Sequence, residues 1–138
     1  MTRTYADSGI LIAAARGKEK HKLHDRAQAI LNDPKRDFVC SDYVRLEVIP
    51  KPTFFKNVAE VAFYEFYFST VAPGNWVAFD GDHLRQAFEE ACRSGLSAID
   101  AIHVVVAAIS ECDELVTTEK IGTGIHRTDL IRIVSIDP

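Results

Sequence analysis

The sequence predicts an α/β fold with three layers, α/β/α, around a mainly parallel sheet of four to five strands. Short runs rich in β-branched and aromatic residues alternate with longer helical stretches along the chain, and this alternation is typical of a mainly parallel sheet. The 138 residues, 47% hydrophobic and 26% charged, match the length and composition of one globular domain. We therefore expect residues 1–138 to form a single domain.

The first predicted elements are a strand and two helices. Arg3–Ala6 reads as a short strand that ends at Asp7, and the apolar stretch Ser8–Ala15 that follows predicts a helix. Gly17 stops that helix. Lys18–Leu31 predicts a second helix, which the following Asn-Asp-Pro sequence ends.

A second strand and a short helix come next. Phe38–Cys40 predicts the strand, and Ser41 or Asp42 then caps the helix because both side chains accept hydrogen bonds from free helix N–H groups. Pro50 and Pro52 terminate this helix, since proline disrupts a helix interior.

The middle of the chain predicts two helices around a short strand. Thr53–Thr70 is a long helical stretch that Pro73 and the following glycine break. Trp76–Phe79 predicts a strand, and Gly81–Arg93 predicts a helix with Gly95 beyond its end.

The last predicted elements are a buried helix and two strands. Ser97–Ser110 is apolar on nearly every side, so we expect the helix to be buried. Leu115–Thr117 and Ile131–Ile136 complete the predicted sheet.

Four acidic residues, Asp7, Glu47, Asp100 and Glu119, lie at or near the points where strands pass into helices or loops. Ligand sites in parallel sheets lie at the carboxyl ends of strands, so the fold can gather them there. Like charges at close range repel, unless a cation neutralises them. Hard ions such as Mg²⁺ or Mn²⁺ prefer oxygen ligands. The four residues therefore predict a divalent-metal site.

Each carboxylate also has a structural interpretation. Asp7 fits a helix N-cap, and Asp100 fits a capping box. Glu47 is spaced to pair with Lys51 four residues later, and Glu119 fits a solvated loop residue. Singly, these roles are the commoner ones, so the metal site rests on the joint placement of the four residues.

The segments around these acids resemble the PIN domain, the fold of the VapC-type ribonuclease toxins. They are YADSGILIAA with Asp7, FVCSDYVRLEVI with Glu47, LSAIDAIHVVVAA with Asp100 and ELVTTEK with Glu119. The third is the most specific, because an acidic residue opens a small-residue, apolar helix. The fourth departs from the family's usual Thr-x-Asp by having Glu.

The resemblance implies a hydrolase that cleaves RNA phosphodiester bonds with Mg²⁺ or Mn²⁺. On this basis Asp7 and Asp100 are expected to be direct ligands, Glu47 to complete the site or orient water, and Glu119 to be an outer or second-metal ligand. The hydroxyl of Ser8 is expected to hydrogen-bond these carboxylates. We expect the same of Thr117, although a local turn bond is the commoner role for either hydroxyl.

The net charge of −4 weighs against binding of nucleic acid through bulk positive charge. A local basic rim around the acidic pocket would still suit an RNA backbone. The candidate RNA contacts are Arg45, Lys51, Lys120 and Arg127.

Surplus aromatic residues in Phe54–Phe68 predict a partner surface, because they cover more than one helical stripe. The occupant would be a second copy of the chain, giving a homodimer, or an antitoxin helix. No apolar run reaches membrane-spanning length, and three cysteines without metal-type spacing suit a reducing cytoplasm. We expect a cytoplasmic protein that contacts no membrane, with buried thiols.

Two alternatives stay open at this point. A non-catalytic PIN-like module that binds RNA or protein would explain Glu119 and the negative charge. A receiver-like signalling domain fits less well, because only Asp7 lies near the first strand. His103 is interpreted as a packed core histidine rather than a zinc ligand or general base, since no second His or Cys has matching spacing.

Overall fold

A computed structural model describes residues 1–138, and its centre is a five-stranded sheet in the order β3-β2-β1-β4-β5. Every pair of neighbouring strands is parallel. The strands are β1 Thr2–Ala6, β2 Arg36–Ser41, β3 Trp76–Val77, β4 Glu114–Thr117 and β5 Arg132–Ser135. The predicted α/β fold with a mainly parallel sheet is confirmed.

Helices occupy the connections between these strands, as parallel pairing requires. They are α1 Ser8–Ala15, α2 His24–Leu31, α3 Asp42–Val48, α4 Pro50–Phe54, α5 Val58–Thr70, α6 Gly81–Ser94 and α7 Ala98–Ile109. The predicted bounds of α1 are confirmed, and α6 ends at Gly95 in the left-handed conformation with φ of 67°.

The prediction of one helix over Lys18–Leu31 is wrong in its first part. The backbone N–H groups of Lys20 and His21 both donate to the carbonyl of Gly17, at 2.8 and 3.0 Å. These bonds form turns instead of a helix, and α2 begins only at His24.

The prediction of one helix over Thr53–Thr70 is also wrong. Lys56 has a positive φ of 57° and interrupts the helix, and Asn57 caps α5 by accepting a hydrogen bond from the Glu60 N–H at 3.1 Å. Pro50 ends α3 as predicted, but it also starts α4, where its missing N–H costs nothing.

Two smaller predictions need correction. Strand β3 covers two residues instead of four, because the N–H of Phe79 donates to the Asp42 carboxylate at 2.8 Å and leaves the sheet. Cys92 is exposed, although we expected all three thiols to be buried.

The core has two parts, and side-chain alternation along the central strands assigns residues to them. Tyr5 and Leu115 belong to the larger cluster, which includes α7. Ala6 and Val116 belong to the smaller cluster, with α1 and α2. Packing on both faces encloses β1, so the residue that follows it is also withdrawn from solvent.

No single helix is long and apolar enough to cross a membrane. Helices α6 and α7 reach the necessary length and apolar composition only when taken together, and the chain bends by 113° between them.

A buried ion pair lies at the amino-terminal edge of the sheet. Glu114 starts β4 with its side chain 5% exposed, and it accepts hydrogen bonds from Arg36 at 2.8 Å and from the Thr4 hydroxyl at 2.7 Å. Arg36 starts β2 and also contacts Asp33 at 2.6 Å. The guanidinium thus neutralises a carboxylate that the fold has removed from water.

Replacing Arg36 by Ala should lower the free energy of unfolding by about 3 kcal/mol, because it leaves a buried carboxylate without its counter-ion. Urea unfolding at neutral pH measures this change. Arg85→Ala is the control, since Arg85 pairs with Asp82 and Glu89 on the exposed face of α6 and should contribute little. Equal losses in both variants would contradict this account of the ion pair.

Candidate active site

Three parallel strands end at the same edge of the sheet and bring their final residues together. Asp7 follows β1, Ser41 closes β2 and Thr117 closes β4. The N–H of Asp7 still donates to the Val116 carbonyl, at 3.1 Å, so the pairing of β1 with β4 extends to the acid itself. This carboxyl edge is where parallel sheets place their ligand sites.

Asp7 is buried and caps helix α1. Its carboxylate accepts a hydrogen bond from the Ile10 N–H at 3.3 Å, and only 8% of the residue is exposed. The structure therefore bears out the capping interpretation of Asp7. Capping uses part of the carboxylate and leaves acceptor positions for other groups.

Burial raises the pKa of Asp7 from its ordinary value of 3.8 to about 6. The Thr117 hydroxyl, the charge of His103 and the Ile10 N–H all oppose this rise, while the charge of Glu47 adds to it. Desolvation exceeds these favourable contacts, so the chain itself does not fully compensate the negative charge of Asp7.

Gly9 allows α1 to approach the end of β4 closely. A Cβ atom at this position would lie 2.5 Å from the Thr118 Oγ1 and 3.2 Å from the Asp7 Oδ1. A side chain at Gly9 would therefore displace the Thr118 side chain or move α1 away from the end of β4.

Glu47 reaches the same region from α3 and contacts His103 of α7. Its Oε1 is hydrogen-bonded to the His103 Nε2. The other ring nitrogen, Nδ1, lies 2.7 Å from the Tyr5 hydroxyl, which lies 2.7 Å from the Ser41 hydroxyl. Glu47 is thus tied through a buried chain of side chains to the ends of β1 and β2.

The other two predicted acids are placed differently. Asp100 is half-buried in the first turn of α7, where its N–H donates to the Ser97 hydroxyl at 3.3 Å. The helix N-terminus stabilises its negative charge. Glu119 is exposed beyond β4, and its recorded contacts are made by its backbone, to the Thr117 hydroxyl at 3.1 Å and the His126 ring at 3.1 Å.

The charge of Glu47 acts on Asp7 and raises its pKa, but the structure does not gather all four acids. No group of three His, Cys, Asp or Glu side chains is close enough to hold a metal ion together. The donor chemistry at Asp7 nevertheless fits a hard cation. Mg²⁺ keeps several waters and binds proteins through one or two carboxylates, and Asp7 supplies a desolvated carboxylate with a second acid nearby.

The residues predicted to assist the site differ in their surroundings. Thr117 is buried and interacts with Asp7, whereas Ser8 is the first residue of α1. Arg127 donates to the carbonyls of Ser94 and Gly95, at 3.2 and 2.7 Å, and so holds the end of α6.

The remaining basic candidates lie on the surface. Arg45 is 3.5 Å from Glu65. Lys51 and Lys120 are exposed and form no ion pair, so both remain available to a phosphate.

The sequence over residues 4–122 matches the PIN domain family. The chain belongs to this family. No curated protein matches it. The earlier resemblance of the motifs to the PIN domain is thereby confirmed.

Solved structures share the fold of this PIN domain at low sequence identity. VapBC2 from Rickettsia felis bound to a DNA fragment from their promoter has a TM-score of 0.70 and 13% identity, over 99% of this chain and 100% of that chain. VapC20 of Mycobacterium tuberculosis, a sarcin-ricin loop cleaving toxin, has a TM-score of 0.66 and 19% identity, over 86% of this chain and 90% of that chain. A toxin–antitoxin complex from Klebsiella pneumoniae has a TM-score of 0.61 and 20% identity, over 94% of this chain and 99% of that chain.

The chain from Glu47 through His103 and Tyr5 to Ser41 was not predicted from the sequence. His103 was expected to pack in the core, and it is indeed buried. Its position three residues after Asp100, on the same face of α7, was the only sequence signal that placed it near the site. The partners of His103 come from distant segments, which no local pattern reveals.

Asp7→Asn should stabilise the metal-free PIN domain at pH 7.5 but have little effect near pH 4. The raised pKa means that folded Asp7 binds its proton more tightly than unfolded Asp7 does. The stability from this proton is therefore present below the unfolded pKa and is lost as the pH rises to about 6 and beyond. A pKa that rises from 3.8 to about 6 corresponds to about 3 kcal/mol.

Urea unfolding with EDTA at the two pH values measures the effect. Asn retains the N-cap acceptor, so the cap itself is preserved. A variant with the same stability difference from the wild type at both pH values would contradict the burial of an uncompensated charge at Asp7.

Proposed function

We propose that this PIN domain protein is a Mg²⁺- or Mn²⁺-dependent ribonuclease and the toxin of a toxin–antitoxin pair. The observation that carries the proposal is the contrast between Asp7 and the other two buried carboxylates, Glu90 and Glu114. Glu90 is paired with Arg93. Glu114 has the Arg36 guanidinium beside it, whereas Asp7 has no Lys or Arg partner and lies near a second acid. A cation from solution would supply the missing charge at Asp7.

The relatives support the chemistry of this proposal. PIN domain nucleases generally use divalent metals, and VapC20 of M. tuberculosis is a sarcin-ricin loop cleaving toxin. The present chain carries Asp7, a buried acid whose pKa is raised by desolvation, at the carboxyl edge of the same fold. We therefore propose RNA as the substrate class.

Asp7 would hold the cation, with Glu47 and Asp100 as its further acidic partners and Glu119 at the outer rim. A bound Mg²⁺ lowers the pKa of a coordinated water and offsets charge on the phosphate. The protein's own part is to hold these carboxylates in place. Asp7 is fixed by the Ile10 N–H at 3.3 Å.

Glu47 is held through one oxygen by His103. Its second oxygen is free to accept a hydrogen bond from the attacking water and to orient it. Exposed Lys51 and Lys120 are proposed to contact the RNA phosphates, as backbone contacts position a nucleic acid without reading its bases. Near pH 7 the Asp7 carboxylate is mostly ionised, because its pKa is about 6.

A non-catalytic PIN-like module that binds RNA or protein is the second candidate function. The separation of the acids favours it, since no three of them converge, and Glu119 is exposed. Such a module would retain the fold and its surface without turning over RNA.

A cleavage assay separates the two functions. Purified protein with Mg²⁺ or Mn²⁺ should cleave RNA, and Asp7→Asn or Asp100→Asn should reduce the rate about a thousandfold or more, since metal stabilises the charge by several kcal/mol. Asp25→Asn is the control, because Asp25 pairs with Lys18 in solvent at 3.1 Å. Cleavage that survives both active-site substitutions would overturn the assignment.

We further propose that the protein binds an antitoxin and forms a homodimer, because large apolar side chains remain exposed on two surfaces. Phe54, Phe55, Val58 and Phe66 are exposed on and around α4 and α5, and Leu84 and Phe88 are exposed on α6. Patches of this kind mark interaction sites. The toxin assignment has its own readout, since expression in a bacterium should arrest growth for the wild type but not for Asp7→Asn.

A further inference from the structure

We infer that His103 is a positioning residue that fixes the Glu47 carboxylate, and that Tyr5 and Ser41 hold the His103 ring in the required orientation. This inference rests on the proposed ribonuclease function. It adds a role for Tyr5 and Ser41, which the proposal does not otherwise use, and it makes the contact of His103 with Glu47 a requirement for the reaction.

The chain of contacts joins four elements of the fold. His103 of α7 is 3% exposed, and both of its ring nitrogens have partners. Nε2 contacts Glu47 of α3, and Nδ1 lies 2.7 Å from the Tyr5 hydroxyl of β1. The Tyr5 hydroxyl lies 2.7 Å from that of Ser41, which closes β2. None of the buried side-chain nitrogen or oxygen atoms in these contacts is left without a partner.

Elementary hydrogen-bond chemistry gives this series of hydrogen bonds one direction when the His103 ring is neutral. An ionised carboxylate only accepts, so Nε2 carries a hydrogen and donates it to Glu47. In the neutral ring Nδ1 is then an acceptor, so Tyr5 donates to Nδ1 and Ser41 donates to Tyr5. The Ser41 oxygen meanwhile accepts from the Val44 N–H at 3.3 Å.

The direction at Glu47 does not depend on the charge of the ring. In the protonated ring both nitrogens donate, and the Tyr5 hydroxyl turns to donate to Ser41. Nε2 still donates to Glu47. The carboxylate is therefore held in the same place whether or not His103 carries a charge.

A contribution to stability does not by itself explain why these four side chains are hydrogen-bonded in series. The Glu47 side chain is 29% exposed and could be solvated without any partner. The chain instead places three buried polar groups in the core, where each requires a partner to avoid a desolvation penalty. Its one effect at the surface is to restrict a flexible carboxylate whose charge acts on Asp7.

The alternative interpretation is that these hydrogen bonds only link α3 to α7 and have no role in the reaction. The two interpretations predict different effects when a hydroxyl is removed. Tyr5→Phe keeps the ring and removes the hydroxyl that orients His103. Tyr64→Phe is the matched control, because Tyr64 is equally buried and its hydroxyl donates to Glu60 at 2.8 Å, outside the chain. A structural role predicts similar behaviour in the two variants.

The direction of the chain is tested by ¹⁵N NMR of the histidine rings in the metal-free protein. We expect a protected Nε2–H signal for His103 that shifts in Glu47→Gln and in Tyr5→Phe but not in Tyr64→Phe. A ring with its hydrogen on Nδ1 alone, or a signal insensitive to Glu47, would overturn the inference. This readout does not require any RNA cleavage.

Kinetics test the consequence for the reaction. Tyr5→Phe and His103→Leu should lower kcat about 10- to 100-fold, as loss of such supporting hydrogen bonds does at metal sites, with KM for RNA nearly unchanged. His103→Gln should recover part of the rate, because an amide offers one donor and one acceptor. Tyr64→Phe should behave as the wild type.

The outcomes separate this inference from the proposed function. A wild-type protein that does not cleave RNA overturns the proposed function, and the NMR result still decides whether His103 positions Glu47. A wild-type protein that cleaves RNA, with full kcat retained in Tyr5→Phe and His103→Leu, overturns the positioning role alone. Equal losses in Tyr5→Phe and Tyr64→Phe would also overturn it.

Discussion

The Asp7 carboxylate is held out of water at the end of the central strand, and the surrounding parts of the fold all act on this charge. Packing on both faces of β1 causes the burial, which raises the pKa of Asp7 to about 6. Three elements oppose this effect, through the Ile10 N–H of α1, the Thr117 hydroxyl of β4 and the His103 ring of α7. A protein selected only for stability would place a neutral residue here.

Each end of the sheet holds a buried acid, but only one of the two acids has a charged partner within the protein. At the amino-terminal edge, Glu114 has the guanidinium of Arg36 as a partner within the chain. At the carboxyl edge, Asp7 has no such cation and lies near Glu47. The first arrangement is complete in the isolated protein, whereas the second would be balanced by the cation that we propose Asp7 binds. This asymmetry links the fold to the proposed metal-dependent chemistry.

Local sequence signals predicted the regular elements well and the irregular ones poorly. The bounds of α1 and the end of α6 follow from Asp7, Gly17 and Gly95, whose roles depend on neighbouring residues only. The positive φ at Lys56 and the turns before His24 were missed, because turn bonds to Gly17 and the Asn57 cap compete there with a continuous helix.

The candidate site shows the same division. The order of the acids and the strand ends predicted that Asp7 lies at the carboxyl edge, and the structure adds that it is both buried and a cap. The contacts of His103 with Tyr5 and Glu47 span 98 and 56 residues of sequence, so only the folded chain reveals them. The metal-ligand roles of the four acids stay a prediction, because no three of them lie close enough together to hold an ion, and sequence order does not determine such distances.

We propose that Asp7 binds a cation, and a Mn²⁺ titration of the melting temperature at pH 7.5 tests this claim. Binding to the native state must raise the melting temperature in proportion to RT ln(1 + [L]/Kd). The wild type should therefore melt at higher temperature as Mn²⁺ rises to millimolar concentration, and Asp7→Asn should not respond. An unchanged wild-type melting temperature, or an equal rise in Asp7→Asn, would contradict the claim.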